Sequence, residues 1–160
     1  NEVVLDIGAN NGYYSLLASK KVGKNGRVFA FEPDKNNLVL LKKNISLNKI
    51  TNIEVEEVAV TDKNRSVLFS SDSIHTGKST IVIDRKIKSK TINGIALDSF
   101  MKNMKVNVII MDIEGTELLA LKGAETLISQ NNLTLFFEYN PKSIKSFGYN
   151  PDELFKYIYK

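Results

Sequence analysis

Val3-Val4-Leu5-Asp6-Ile7-Gly8-Ala9-Asn10-Asn11-Gly12-Tyr13 opens the chain. Its apolar residues run nearly without interruption. That suits a strand covered on both faces, as in a parallel sheet between helices, and not a half-exposed strand with alternating polarity. Similar runs occur at residues 27–31, 53–60, 106–111 and 133–137. Between them lie helical patterns at residues 13–21, at 35–48 with Leu38, Leu41 and Ile45 on one face, and at 117–130 with Leu118, Leu121, Ala124 and Ile128 on one face after Thr116 as N-cap. Strand and helix alternate, which predicts a doubly wound α/β fold: a mostly parallel sheet with helices on both faces.

Residues 62–93 break the rhythm. Val67-Leu68-Phe69, Ile81-Val82-Ile83 and residues 87–92 are short and β-branched, and Ser, Asp, Gly and Thr separate them. They read as an antiparallel hairpin insertion at about residues 65–92 beside the main sheet. Asp98 is expected to cap a short helical turn before the strand at 106. The chain starts almost directly in a strand and stops within the amphipathic stretch Glu153-Leu154-Phe155-Lys156-Tyr157-Ile158, so residues 1–160 are expected to be one domain cut from a longer protein.

Composition narrows the chemistry. With 160 residues, 42% hydrophobic and 25% charged, the chain has the make-up of one globular domain whose core needs neither disulfides nor a structural metal. It has no cysteine, which excludes thiolate zinc sites and cysteine nucleophiles. The net charge, 22 − 18 = +4, favours no class of partner. No apolar run approaches the roughly 18 residues of a membrane span, and a cytoplasmic location is expected.

In an open α/β sheet, ligands bind beyond the carboxyl ends of the strands, where strand order reverses. Four of those ends carry acids: Asp6 before Gly8, Glu32-Pro33, Asp112-Ile113-Glu114 and Glu138-Tyr139-Asn140. Like charges gathered in one crevice raise one another's pKa, so a cationic or hydroxyl-rich ligand is implied. Gly8 and Gly12 are spaced G-x-x-x-G, which is not the G-x-G-x-x-G of diphosphate sites. Gly77-Lys78-Ser79-Thr80 lacks the upstream glycine of a phosphate loop. Glu32 lies 20 residues after Gly12, where a carboxylate can accept both hydroxyls of a ribose. A nucleoside with positive charge and no phosphate fits, and S-adenosylmethionine is one.

The runs Val4 to Tyr13, Phe31-Glu32-Pro33 and Met111-Asp112-Ile113-Glu114-Gly115-Thr116-Glu117 resemble those of the FkbM family of S-adenosylmethionine-dependent methyltransferases, over nearly the whole chain. The resemblance implies a Rossmann-like sheet whose last, reversed hairpin lies beyond Lys160, and O-methylation of a hydroxyl on a sugar, glycan or other small molecule. It also places adenine contacts at Ala59 and Asp62. The cofactor set is then Asp6, Gly8, Asn10, Gly12, Glu32, Ala59 and Asp62. Asn11 stands where the family more often has an apolar residue.

Asp112 is read as the acid that faces and deprotonates the acceptor, with Glu114 or Glu138 beside it. Asp112, Glu114 and Glu117 also have the oxygens for a magnesium site, but nothing in the spacing sets octahedral geometry, and no metal is expected. Glu117 is equally a favourable acid in a first helical turn. His75, the only histidine, reads as a solvated loop residue. Arg85, Lys86, Lys88 and Lys90 read as a solvated face, with an anionic substrate or membrane surface as the other reading. Asn140-Pro141-Lys142-Ser143 lacks the second proline and the aromatic of nucleobase amine methylation, so nucleic acid is not the expected partner. Two other functions fit the fold: a nicotinamide-dependent oxidoreductase, disfavoured by the missing third glycine, and a non-catalytic cofactor-binding module.

Overall fold

A computed structural model describes residues 1–71 and 79–160 of the chain. The first half contains strand β1 (Val3–Ile7), helix α1 (Tyr13–Val22), β2 (Arg27–Phe31), α2 (Lys35–Leu47) and β3 (Ile53–Glu56). Four short strands follow: β4 (Ala59–Val60), β5 (Arg65–Ser70), β6 (Thr80–Val82) and β7 (Lys90–Ile95). After α3 (Leu97–Phe100) come β8 (Val108–Met111), α4 (Glu117–Lys122), α5 (Glu125–Gln130), β9 (Thr134–Phe137), α6 (Pro141–Phe147) and α7 (Pro151–Ile158).

Five strands form a parallel sheet in the order β3-β2-β1-β8-β9. The chain builds outward from β1 to β3, then returns to the other side of β1, so strand order reverses between β1 and β8. Side-chain alternation divides the strands between two faces. Leu5, Ile7, Phe29, Phe31, Ile109 and Met111 enter the main core with Leu118, Leu121, Leu127, Ile144 and Leu154 from α4 to α7. Val4 and Val28 meet Ala18 of α1, and Ala30 meets Leu38 and Leu41 of α2. Helices therefore cover both faces. Asp6 lies between Leu5 and Ile7 in sequence, so it points to the α1 face.

The hairpin region forms its own sheet, β4-β7-β5-β6, with β5 antiparallel to β6 and β7 and with β4 parallel to β7. Its last strand extends to Ile95, whereas Ile87 lies in the turn before it. The run at 53–60 is two strands and not one. Its main-sheet ladder closes with the Glu32 N–H donating to the Glu56 carbonyl at 3.0 Å, and Thr61 N–H then donates to Ile95 of the second sheet at 2.7 Å. The helix at 117–130 is likewise two. A Cβ on Gly123 would stand 2.0 Å from the Thr61 carbonyl oxygen, so glycine lets the second sheet approach here, and the helix restarts at Glu125.

Two expected caps act elsewhere. Asp98 caps α5, accepting from Thr126 N–H at 3.0 Å and Leu127 N–H at 2.8 Å, while its own turn begins after Ala96. Thr116 donates its hydroxyl to the Ile113 carbonyl at 3.1 Å and does not cap α4 with its side chain. Asn140 does cap a helix, accepting from Ser143 N–H at 3.3 Å with Pro141 at the first helical position. No helix among the described residues is long and apolar enough to cross a membrane.

Candidate active site

The carboxyl ends of β1 and β8 meet because residue 8 is glycine. Gly8 has φ +85°, and a Cβ there would lie 2.0 Å from the Asp112 carbonyl oxygen. The ladder continues past the strands: Asp112 N–H donates to Ile7 and Glu138 N–H to Met111, both at 2.9 Å. Asp112 therefore stands beside the first loop, and Glu138 beside Asp112. A cleft opens over these ends, with Gly8, Asn10, Glu32, Ala59, Asp112 and Glu114 on its walls. The second sheet closes it with Phe69, Thr80 and Ile81.

Glu32 lines the cleft from the end of β2 and is 4% exposed. Its Oε2 accepts from Asn10 N–H at 2.8 Å, its Oε1 accepts from Asp34 N–H at 2.7 Å, and the Asn37 amide also donates to it. A carboxylate has about four lone-pair sites. Three are engaged, which leaves about one for a ligand hydroxyl where the sequence suggested two. Burial pushes the Glu32 pKa up, and the two backbone N–H donors oppose that rise. Asn10 adopts φ +50°, which turns its N–H towards Glu32, and Asp34 caps α2 through Asn36 N–H at 2.8 Å.

Three expected cofactor residues are not on the cleft wall. Asp6 is 2% exposed and accepts from the Ser15 hydroxyl of α1, as its place on the α1 face requires. Burial pushes its pKa up to about 6. Gly12, at φ +91°, sits behind the loop, where a Cβ would meet Leu41 at 2.4 Å. Asp62 turns to Arg65, 2.7 Å away. Asp6 and Glu32, both expected in the cofactor set, therefore do not share one pocket. Glu32 faces the cleft, while Asp6 braces the loop from behind.

The second group of acids is different. Side-chain oxygens of Asp112, Glu114 and Glu138 all lie within 4.8 Å of one another. Burial and the charges of Asp112, Glu114 and Glu117 push the Glu138 pKa up to about 7, and Glu138 in its protonated form donates to Asp112. The outer side of Asp112 is exposed, but burial of its inner side raises its pKa as well. Glu114 and Gly115 are consecutive left-handed residues, at φ +56° and +99°. Glu117 is turned inward, 1% exposed, with Oε1 accepting from Ile113 N–H and Gly115 N–H at 3.2 Å each. It braces the turn, so the three oxygens near enough to share a divalent cation come from Asp112, Glu114 and Glu138 and not from D-x-E-x-x-E. Asp112 and Tyr14 are common to this cleft and to a shallower groove that reaches Phe136 and Glu138.

Several contributors carry no signal in the sequence. Thr80, Phe69 and Ile81 reach the cleft only because the second sheet folds over the strand ends. Ser15 is more legible in retrospect, since it lies on the face of α1 that meets β1. Lys90 lies 4.0 Å from Asp34, and Arg85, Lys86 and Lys88 are exposed around a turn. His75, Gly77 and Lys78 lie outside the described residues.

The fold and the cleft define a Rossmann-like cofactor-binding domain. The profile of the Methyltransferase FkbM domain matches residues 6–160, and the chain belongs to that family. It is 28% identical over 160 aligned positions to a Sulfurisphaera tokodaii protein named "Probable cobalt-precorrin-6B C(15)-methyltransferase (decarboxylating)", covering 86% of this chain and 79% of that one. It is 27% identical to the "Hexuronic acid methyltransferase AglP" of Haloferax volcanii, covering 84% of this chain and 55% of that one. The crystal structure of the methyltransferase FkbM from Methylobacillus flagellatus superposes with a TM-score of 0.64 at 26% identity, covering 87% of this chain and 33% of that one. The chain thus spans a third of that crystallised protein and about half of AglP. The match makes it a methyltransferase domain of the FkbM family.

Proposed function

We propose that this domain transfers a methyl group to a hydroxyl oxygen of a sugar, glycan or similar small molecule. The observation that carries this reading is the acid trio of Asp112, Glu114 and Glu138, whose oxygens lie within 4.8 Å of one another and of which Asp112 and Glu114 line the same cleft as the backbone-anchored Glu32. S-adenosylmethionine supplies an activated methyl carbon on a cationic sulfur.

Gly8, Asn10, Glu32 and Ala59 hold the cofactor in this reading. Glu32 accepts a hydroxyl on its remaining lone pair, and the glycine lets the backbone come close. Asp6 and Gly12 hold the loop in shape, and Asp62 stays with Arg65. Methyl transfer is largely a matter of positioning two reactants, but a neutral hydroxyl is a weak nucleophile and gains from a base within hydrogen-bond reach. The Asp112–Glu138 pair already holds one proton between two carboxyls, and a carboxyl whose pKa is near 7 takes up and releases a proton close to neutral pH. Glu114 keeps that pKa high by its charge. The name of AglP supports a sugar acceptor, and the gathered acids favour acceptors that present hydroxyls and no negative charge at this end.

The test is transfer of a labelled methyl group from S-adenosylmethionine to a panel of monosaccharides, glycans and small alcohols. Labelled methyl ether on a member of the panel is the expected product. Product carrying the label on carbon or nitrogen refutes O-methylation. Tight S-adenosylhomocysteine binding with no transfer to any acceptor in the presence of the whole protein favours the non-catalytic module.

A further inference from the structure

Outside the three motifs, the side chain of Thr80 links the second sheet to the turn that carries Glu114. Thr80 of β6 directs its hydroxyl at the turn after β8, with Oγ1 lying 3.1 Å from the Ile113 carbonyl oxygen and 3.2 Å from that of Glu114. A threonine has one hydroxyl hydrogen, so it is shared between the two acceptors. These carbonyls belong to the peptide planes on either side of the Glu114 Cα. Tying both fixes the two rotations that set where the Glu114 side chain leaves the backbone.

Glu114 needs such a restraint. At φ +56° it holds a left-handed conformation that L side chains other than Asn and Asp rarely adopt, and it persists only where the surroundings over-determine it. Three neighbours do so. Glu117 accepts the Ile113 and Gly115 N–H groups from inside, and the Ser143 backbone of α6 comes so near Gly115 that a Cβ there would stand 2.4 Å away. Thr80 acts from the opposite side, on the carbonyls. In the resulting geometry a Glu114 oxygen stays within 4.8 Å of oxygens of both Asp112 and Glu138.

We propose that Thr80 is a positioning residue, whose hydroxyl clamps the peptide planes around Glu114 and so holds its carboxylate against the Asp112–Glu138 pair. The proposal rests on the reading of these acids as the site that prepares the acceptor, but its test needs no acceptor. The second sheet thereby acts as part of the catalytic apparatus as well as a wall of the cleft.

The experiment is a pH titration of the Glu138 carboxyl carbon by NMR in chain labelled at glutamate, assigned by the signal lost in Glu138→Gln. Asp112, Glu114 and Glu117 are the charges that raise this group. In Thr80→Val, which keeps the shape and removes the donor, the midpoint should fall by about half a unit or more as Glu114 moves off. Thr80 also lines the cleft, so the midpoints are compared in the absence of cofactor, and S-adenosylhomocysteine affinity by calorimetry is recorded on the same variants. Thr80→Ser, which keeps the donor, should restore the midpoint. If Thr80→Val does not fold, Thr80→Ala carries the same comparison. An unchanged midpoint in the donor-free variant overturns the proposal, as does a shift that serine does not restore. Failure of methyl transfer to any hydroxyl refutes the proposed function and leaves this titration to decide the clamp separately.

Discussion

Glu32 and Glu138 are the same residue at the ends of two parallel strands, and the protein uses them in opposite ways. Glu32 is almost wholly buried but surrounded by donors: Asn10 N–H, Asp34 N–H and the Asn37 amide. Its geometry is fixed by these donors, and it lines the cleft as an acceptor that cannot swing away. Glu138 is less buried, yet its Oε2 receives no N–H or hydroxyl among the described residues, and its neighbours are acids. With no donor supplied, it keeps a proton and shares it with Asp112. Burial raises both pKa values; the supply of donors decides whether a buried acid becomes a fixed acceptor or a proton holder.

The largest expected effect comes from joining the two ends wrongly. Gly8→Ala places a Cβ on the Asp112 carbonyl and in a left-handed backbone, so it should cost about 3 kcal/mol or more of stability and abolish cofactor binding and turnover together. Denaturant unfolding and calorimetry on the same sample check this. Glu138→Gln should separate the two ends. Turnover should fall by about 10²-fold or more while S-adenosylhomocysteine affinity is unchanged, and the rise of kcat with pH through about 7 expected of the unaltered protein should disappear. If the limb near pH 7 survives, another group is the base.

Glu32→Ala should do the reverse. A hydrogen bond to a charged acceptor contributes about 1.5–3 kcal/mol, so affinity should fall by roughly tenfold to a hundredfold, and by more if the loop at Asn10 loosens. Calorimetry showing undiminished affinity would remove Glu32 from the cofactor site. Asp6→Asn is the mildest, because it touches only the brace behind the loop. The folded pKa of Asp6 is raised from 3.8 to about 6, so its contribution to stability is complete below pH 3.8 and is lost as pH rises through 6. Thermal melts should show the unaltered protein losing at most about 3 kcal/mol across that window relative to Asp6→Asn.

Much of the main sheet was legible because strands buried on both faces leave a pattern that survives without knowledge of their neighbours. The five parallel strands, α1, α2 and α7 appear where apolar runs and helical spacing indicate them. The two errors of continuity, at residues 57–58 and at Gly123–Ala124, share one cause. Both are places where the second sheet docks, and nothing local in either stretch says that Thr61 will press on Gly123. The same contact gave Asp98 a helix to cap 28 residues further on.

The residues themselves determined that acids end the strands, that glycines let the first loop turn, and that the chain resembles one methyltransferase family. These follow from local spacing and from sterics that hold in any context. Which way each acid faces was decided only by tertiary structure: Asp6 to Ser15, Glu32 to backbone donors, Glu138 to Asp112. Hydrogen-bond donors, burial and neighbouring charge come from segments distant in sequence. A carboxyl group's role depends on what surrounds it, and one-dimensional order does not carry that information.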